Sequence, residues 1–106
     1  MVPSLTIASA LTALSKADGV FVRLVEKSTF DVSLYKPSGT DPQGPHVRDE
    51  LYVVATGAGD FFRDGKTQRF RPGDAFFVPS GIEHGFLDFS ADFSTRVIFF
   101  GPRPSN

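Results

Sequence analysis

The chain has 106 residues, a net charge of -1, 41% hydrophobic and 22% charged residues. That is enough for one domain with its own core, and the near-neutral charge without like-charge runs speaks against a nucleic-acid or membrane-surface partner. The absence of cysteine excludes disulfides and thiolate metal sites, and no run approaches the roughly 20 apolar residues of a membrane span.

Leu5, Ala8, Leu11 and Leu14 recur at helical spacing, with Ser4 or Thr6 available as N-cap and Asp18-Gly19 as a stop. The spacing predicts one short amphipathic helix over about 6–16, packed on the outside of the domain or against a partner subunit. The stretch lacks a basic n-region, so it is not read as a signal peptide, and a cytoplasmic location is expected.

From Val20 the period changes to two. Residues 20–25 and 30–35 read as strands joined by a hairpin at Glu26 to Thr29. The Pro- and Gly-rich stretch from Lys36 to Gly44 reads as a loop, followed by a strand that begins near His46 and ends before Gly57. Asp64-Gly65 is a hairpin signal between Asp60–Arg63 and Thr67–Arg71, and Pro72-Gly73-Asp74 turns again. Ala75–Val78, Glu83–Phe89 and Ser94–Phe100 supply the last three strands, and 102–106 is a tail. Phe occurs 12 times and Trp never, which fits an all-β body with an aromatic core. Short strands punctuated by turns predict a sandwich or barrel, here a jelly roll of about eight strands over about 19–101.

Both histidines fall beside this framework. If the strand runs unbroken from His46, then His46, Arg48, Glu50 and Tyr52 share one face, while Asp49 and Glu83 face outward. His84 follows the run Pro79-Ser80-Gly81-Ile82-Glu83. If the sheet curls, two imidazoles and a carboxylate meet inside it, a facial set for a divalent metal that leaves positions open. The bland alternative is a histidine and a glutamate that hydrogen-bond each other and nothing else.

The spacings resemble the two motifs of the cupin superfamily. His46, three residues, Glu50, six residues and Gly57 match the second half of the first motif. Gly73, Pro79, Gly81 and His84 match the second, with Asp88 where the family often has Asn. The resemblance to a small single-domain cupin of the conserved-barrel type, carried by motifs over about residues 44–88, implies a double-stranded β-helix, to which the helical spacing adds one short N-terminal helix in a single domain over 1–106. It also implies a metal held by His46, Glu50 and His84, with Fe(II), Mn(II), Ni(II) and Zn(II) all open. The first histidine of the family's H-x-H pair is replaced by Gly44, so Gln43 or Asp41 in the preceding loop is the candidate for an extra ligand. Tyr52, Phe77, Phe86, Phe99 and Tyr35 are candidates to line a pocket, and Arg48 either reaches a ligand carboxylate or lies solvated at the rim. The gly-rich turn positions Gly57, Gly73 and Gly81 are expected at positive φ.

Three functions remain open on these grounds. A metal-dependent small-molecule enzyme, oxygenase-type or isomerase, leads; a non-catalytic ligand-binding or sensing module and a storage role follow. No separate general acid or base is evident in the sequence, which counts against proton-transfer chemistry. A homodimer is expected from the helix and the exposed sheet edges.

Overall fold

A computed structural model describes residues 5–41 and 46–101. Its elements are α1 (Ile7–Lys16), β1 (Phe21–Glu26), β2 (Phe30–Tyr35), β3 (Asp49–Thr56), β4 (Gly59–Arg63), β5 (Lys66–Phe70), β6 (Ala75–Val78), β7 (His84–Leu87) and β8 (Ser94–Phe100). Two antiparallel sheets result, a five-stranded one in the order β1-β2-β8-β3-β6 and a three-stranded one in the order β5-β4-β7. This is the jelly-roll arrangement that the turn spacing predicts.

Thr6, not Ser4, caps the helix, its hydroxyl accepting from the Ser9 N–H at 3.1 Å. The helix ends where Gly19, at φ +79°, returns its N–H to the Leu14 carbonyl. Ala10 and Leu14 are buried against Leu34, so the apolar stripe of α1 is spent on the outer face of β1 and β2. Of the two expected uses for this helix, the packing one is realised.

The core lies between the sheets. Tyr52 and Phe76 from the large sheet meet Phe61, Phe70 and Phe86 from the small one. Phe61 stacks on Phe76 with ring centres 4.3 Å apart, and Phe86 meets Tyr52 edge-on at 5.0 Å. These rings fill the space that a core without Trp must fill. The backbone approaches closely at one turn: a Cβ on Gly57, which sits at φ +79°, would lie 2.5 Å from the Phe93 Cα. Only glycine fits there.

Two strand readings need correction. The histidine strand starts at Asp49, and His46 to Arg48 precede it as irregular chain. Strand β7 covers only His84–Leu87, because Asp88 turns to φ +48°. The tail at 102–106 lies outside the described residues.

Candidate metal centre

Strand β3 turns Glu50, Tyr52 and Val54 inward, and β7 does the same with His84 and Phe86. Glu50 pairs with Val78 on β6 and Phe99 on β8, which sinks its carboxylate to 1% exposure. His46 joins them from outside the strand. Its carbonyl accepts the Gly81 N–H at 2.7 Å, and its ring lies edge-on to Phe99 at 6.0 Å. The segment is held two residues on by Arg48, whose guanidinium reaches Asp31 Oδ2 at 2.7 Å and the Gly101 carbonyl at 2.6 Å.

The donor atoms converge. Glu50 Oε1 faces His84 Nε2 at 3.2 Å and His46 Nε2 at 3.5 Å, and one donor atom from each of the three residues lies within 4.8 Å of the other two. Glu50 Oε1 is buried, yet among the described residues it accepts no well-formed hydrogen bond. A buried carboxylate oxygen that faces two imidazole nitrogens without a well-formed hydrogen bond is costly unless something cationic completes it. A divalent ion coordinated by two imidazoles and this oxygen meets that need, so the donor set fits a metal.

Tyr52 completes the cluster in a way the sequence did not disclose. Its hydroxyl donates to Glu50 Oε2 at 2.9 Å and lies 3.0 Å from His84 Nε2. His84 Nδ1 is 2.9 Å from the Ile82 carbonyl, so that nitrogen carries a proton. With Nδ1 so fixed, Nε2 either bears a proton directed at the Tyr52 oxygen or offers a lone pair to a metal. Burial pulls the His84 pKa down. The interactions with Glu50 and the Ile82 carbonyl, together with the negative charges of Glu50 and Asp41, outweigh that and hold it above the ordinary 6.5.

That raised value sets a pH dependence. The proton that a metal must displace is held more firmly than in a free histidine, so binding releases it. Apparent metal affinity should therefore climb by about tenfold per pH unit below the folded His84 pKa, and level off above it. The stability that the charged His84 lends the metal-free protein runs the other way. It is fully present below 6.5 and disappears as pH rises through the folded pKa. Competitive metal titrations across pH, with denaturation of the metal-free protein, check both slopes.

The opening beside His46 and Glu50 holds about 180 Å³ and is lined by Phe21, Tyr35, Tyr52, Val97 and Phe99. Three larger surface clefts, of about 380, 410 and 300 Å³, contain neither histidine. Tyr52 and Phe99 thus lie where pocket residues were expected, and Tyr35 with them. Phe86 belongs to the closed core beneath, at 1% exposure. Phe77 is a correction. It is 47% exposed on the outer face of β6, because Phe76 and Val78 take the inward phase. Arg48 is another: it neither reaches the opening nor lies solvated, but is consumed by Asp31 and Gly101, with its side chain 9% exposed.

Asp41 does not join the ligand group either. Its Oδ1 accepts from the Tyr35 hydroxyl at 2.5 Å and its Oδ2 from the Phe86 N–H at 2.8 Å. Burial first, then the hydrogen bond to Asp41 and its charge, push the Tyr35 pKa far above the usual phenol value, so Tyr35 stays a neutral donor. Asp41 therefore fastens the loop after β2 to β7. Gln43 and Gly44 lie outside the described residues. Asp49 and Glu83 are exposed.

The comparisons agree with this architecture. The family model of the cupin domain matches residues 32–100, and this chain belongs to the cupin family. It is 31% identical over 87 residues to the uncharacterised protein SCO3923 of Streptomyces coelicolor, covering 80% of this chain and 83% of that one. Among solved structures it is similar to a Cupin 2 conserved barrel domain protein from Salinispora arenicola. The TM-score there is 0.68 at 18% identity, over 94% of this chain and 88% of the other. It is also similar to the DMSP lyase DddQ from Ruegeria pomeroyi, with a TM-score of 0.71 and 23% identity, over 82% of this chain but 49% of that one. At these identities the solved structures speak for the fold.

Proposed function

We propose that this cupin is a metal-dependent small-molecule enzyme of the lyase or isomerase type, with His46, Glu50 and His84 as ligands and Tyr52 as its acid–base group. The observation that carries the reading is the Tyr52 hydroxyl, buried and within 3.0 Å of donor atoms on both Glu50 and His84. Redox chemistry at an open metal needs no such residue, whereas proton transfer does. The similarity to a protein described as a DMSP lyase supports the same choice.

Held by His46, Glu50 and His84, a divalent ion would supply Lewis-acid polarisation of a substrate oxygen. Glu50 and the histidines would hold that position, beside the apolar side chains of Phe99 and Val97. Tyr52 Oη would take a proton from the carbon next to that oxygen-bearing group as its own proton passes to Glu50 Oε2, to which it already donates at 2.9 Å, and the C–H electron pair would move toward the group. Return of the proton to a neighbouring carbon completes an isomerisation; loss of a leaving group from the β-carbon completes an elimination. Fe(II), Mn(II), Ni(II) and Zn(II) all suit these ligands.

Tyr52→Phe tests the assignment. The variant should retain its metal but exchange substrate carbon-bound hydrogen with deuterated water at least about a hundredfold more slowly. The measurement is proton exchange into a panel of small ketones and carboxylates by NMR. Unchanged exchange in Tyr52→Phe, or oxygen uptake by the wild-type metalloprotein on the same panel, would contradict the proposal and favour the oxygenase reading.

We also propose a homodimer, through the outer face of the large sheet rather than the helix. Val32, Ile98, Leu51 and Phe77 form one apolar row in register across four strands, flanked by the pair Phe30 and Phe100. Phe30, Phe77 and Phe100 are 37%, 47% and 41% exposed, more than isolated surface residues need. Phe77→Asp should convert a dimer to a monomer in light scattering; a wild-type monomer at micromolar concentration would sink the idea.

A further inference from the structure

Resting on the metal reading above, we propose a ligand class for the opening: a compact molecule with one oxygen-bearing anionic head and an uncharged apolar tail. The geometry divides the opening into two unlike parts. At its floor lie His46, Glu50 and Tyr52; its walls are Phe21, Val97 and Phe99, with Tyr35. Among the described residues, no lysine or arginine lines it. The Arg48 guanidinium lies 5.8 Å from the Phe99 ring centre and is already engaged by Asp31 and the Gly101 carbonyl. The wall hydroxyl of Tyr35 is committed to Asp41. Among the residues outside the described ones, 42–45 are Pro, Gln, Gly and Pro, and the one basic side chain is Arg103 in the C-terminal stretch.

Charge then selects the ligand. A divalent ion with two neutral imidazoles and one carboxylate carries a net single positive charge, which one carboxylate or enolate balances. A second anionic group on the same molecule would be driven against aromatic and aliphatic walls, where an unpaired charge is strongly disfavoured. A volume of about 180 Å³ restricts the tail to a few carbons or one ring. Sugar phosphates and dicarboxylates fall outside this class, while branched short-chain acids and aryl acids fall within it.

The test uses matched pairs of probes on the metal-loaded protein: 4-methylpentanoate against glutarate, and benzoate against terephthalate. Calorimetry gives the affinities, and metal content is measured on the same samples. The monoacid of each pair should bind at least about tenfold more tightly than its diacid. Phe21→Arg, at the wall on β1, should narrow that ratio by strengthening diacid binding. Equal or reversed preference on metal-replete protein overturns the ligand class and leaves the metal site standing. Protein that takes up no metal overturns the site and this proposal with it.

Discussion

Replacing Glu50 by glutamine is expected to weaken metal binding by at least about a hundredfold while leaving the fold intact. Loss of an outer partner of a metal site already costs about ten- to a hundredfold, and Glu50 is a direct ligand in the proposed set. The substitution keeps the size of the side chain, and its amide can still pair with the Tyr52 hydroxyl that now lies 2.9 Å from Oε2. It removes a carboxylate that is 1% exposed, so above the folded His84 pKa the metal-free variant should be about as stable as wild type, and at lower pH it should lose the stability that charged His84 draws from Glu50. It should also lower the His84 pKa, since Glu50 is a principal influence raising it. Competitive chelator titration, with urea denaturation of the metal-free form, reads both effects. Unchanged affinity would mean that Glu50 is a hydrogen-bond partner of the histidines and not a ligand.

The second large effect concerns the clamp that carries His46. Asp31 is 1% exposed and its bond to Arg48 is 2.7 Å long, so Asp31→Asn leaves a guanidinium buried without its counter-charge. Breaking such a pair costs about 3–5 kcal/mol, whereas replacing both members by apolar residues costs far less. Asp31→Asn should therefore lose about that much stability in urea denaturation, and Asp31→Leu combined with Arg48→Met should recover most of it. The double variant still lacks the tether two residues from His46. Its metal affinity should fall by about tenfold although its stability returns. Recovery of both would show that the ion pair stabilises the barrel without positioning the ligand.

Much of this architecture is legible in the sequence, for reasons that differ by element. Ser94–Phe100 shows clean strand composition bounded by turns, and the structure reproduces it. The helix was legible because its spacing, cap and glycine stop agree. Glu50 and Tyr52 share a face by simple alternation, but their contact with His84 depends on the two sheets meeting, which lies beyond local pattern. The run Ala75-Phe76-Phe77-Val78 contains no polar residue to set its phase, so pairing of Phe76 with Tyr52 decides which ring is buried. Arg48 was misplaced because its partner, Asp31, lies on another strand and because the chain is not yet extended at 46–48. His46 reaches the cluster all the same. Its position comes from the Gly81 and Arg48 contacts rather than from strand parity.

With Gly44 in place of the usual first motif histidine, the proposed site has three ligands, His46, Glu50 and His84. The convergence of His46, Glu50 and His84 on one buried Glu50 oxygen, with the Tyr52 hydroxyl beside it, argues for a site altered rather than dismantled. The direct measurement is elemental analysis of wild type, His46→Ala and His84→Ala, purified without chelator or affinity-tag metal. The account predicts near-stoichiometric divalent metal in wild type and its loss in both variants. A wild type that holds none, even after incubation with Fe(II), Mn(II), Ni(II) or Zn(II), would contradict it.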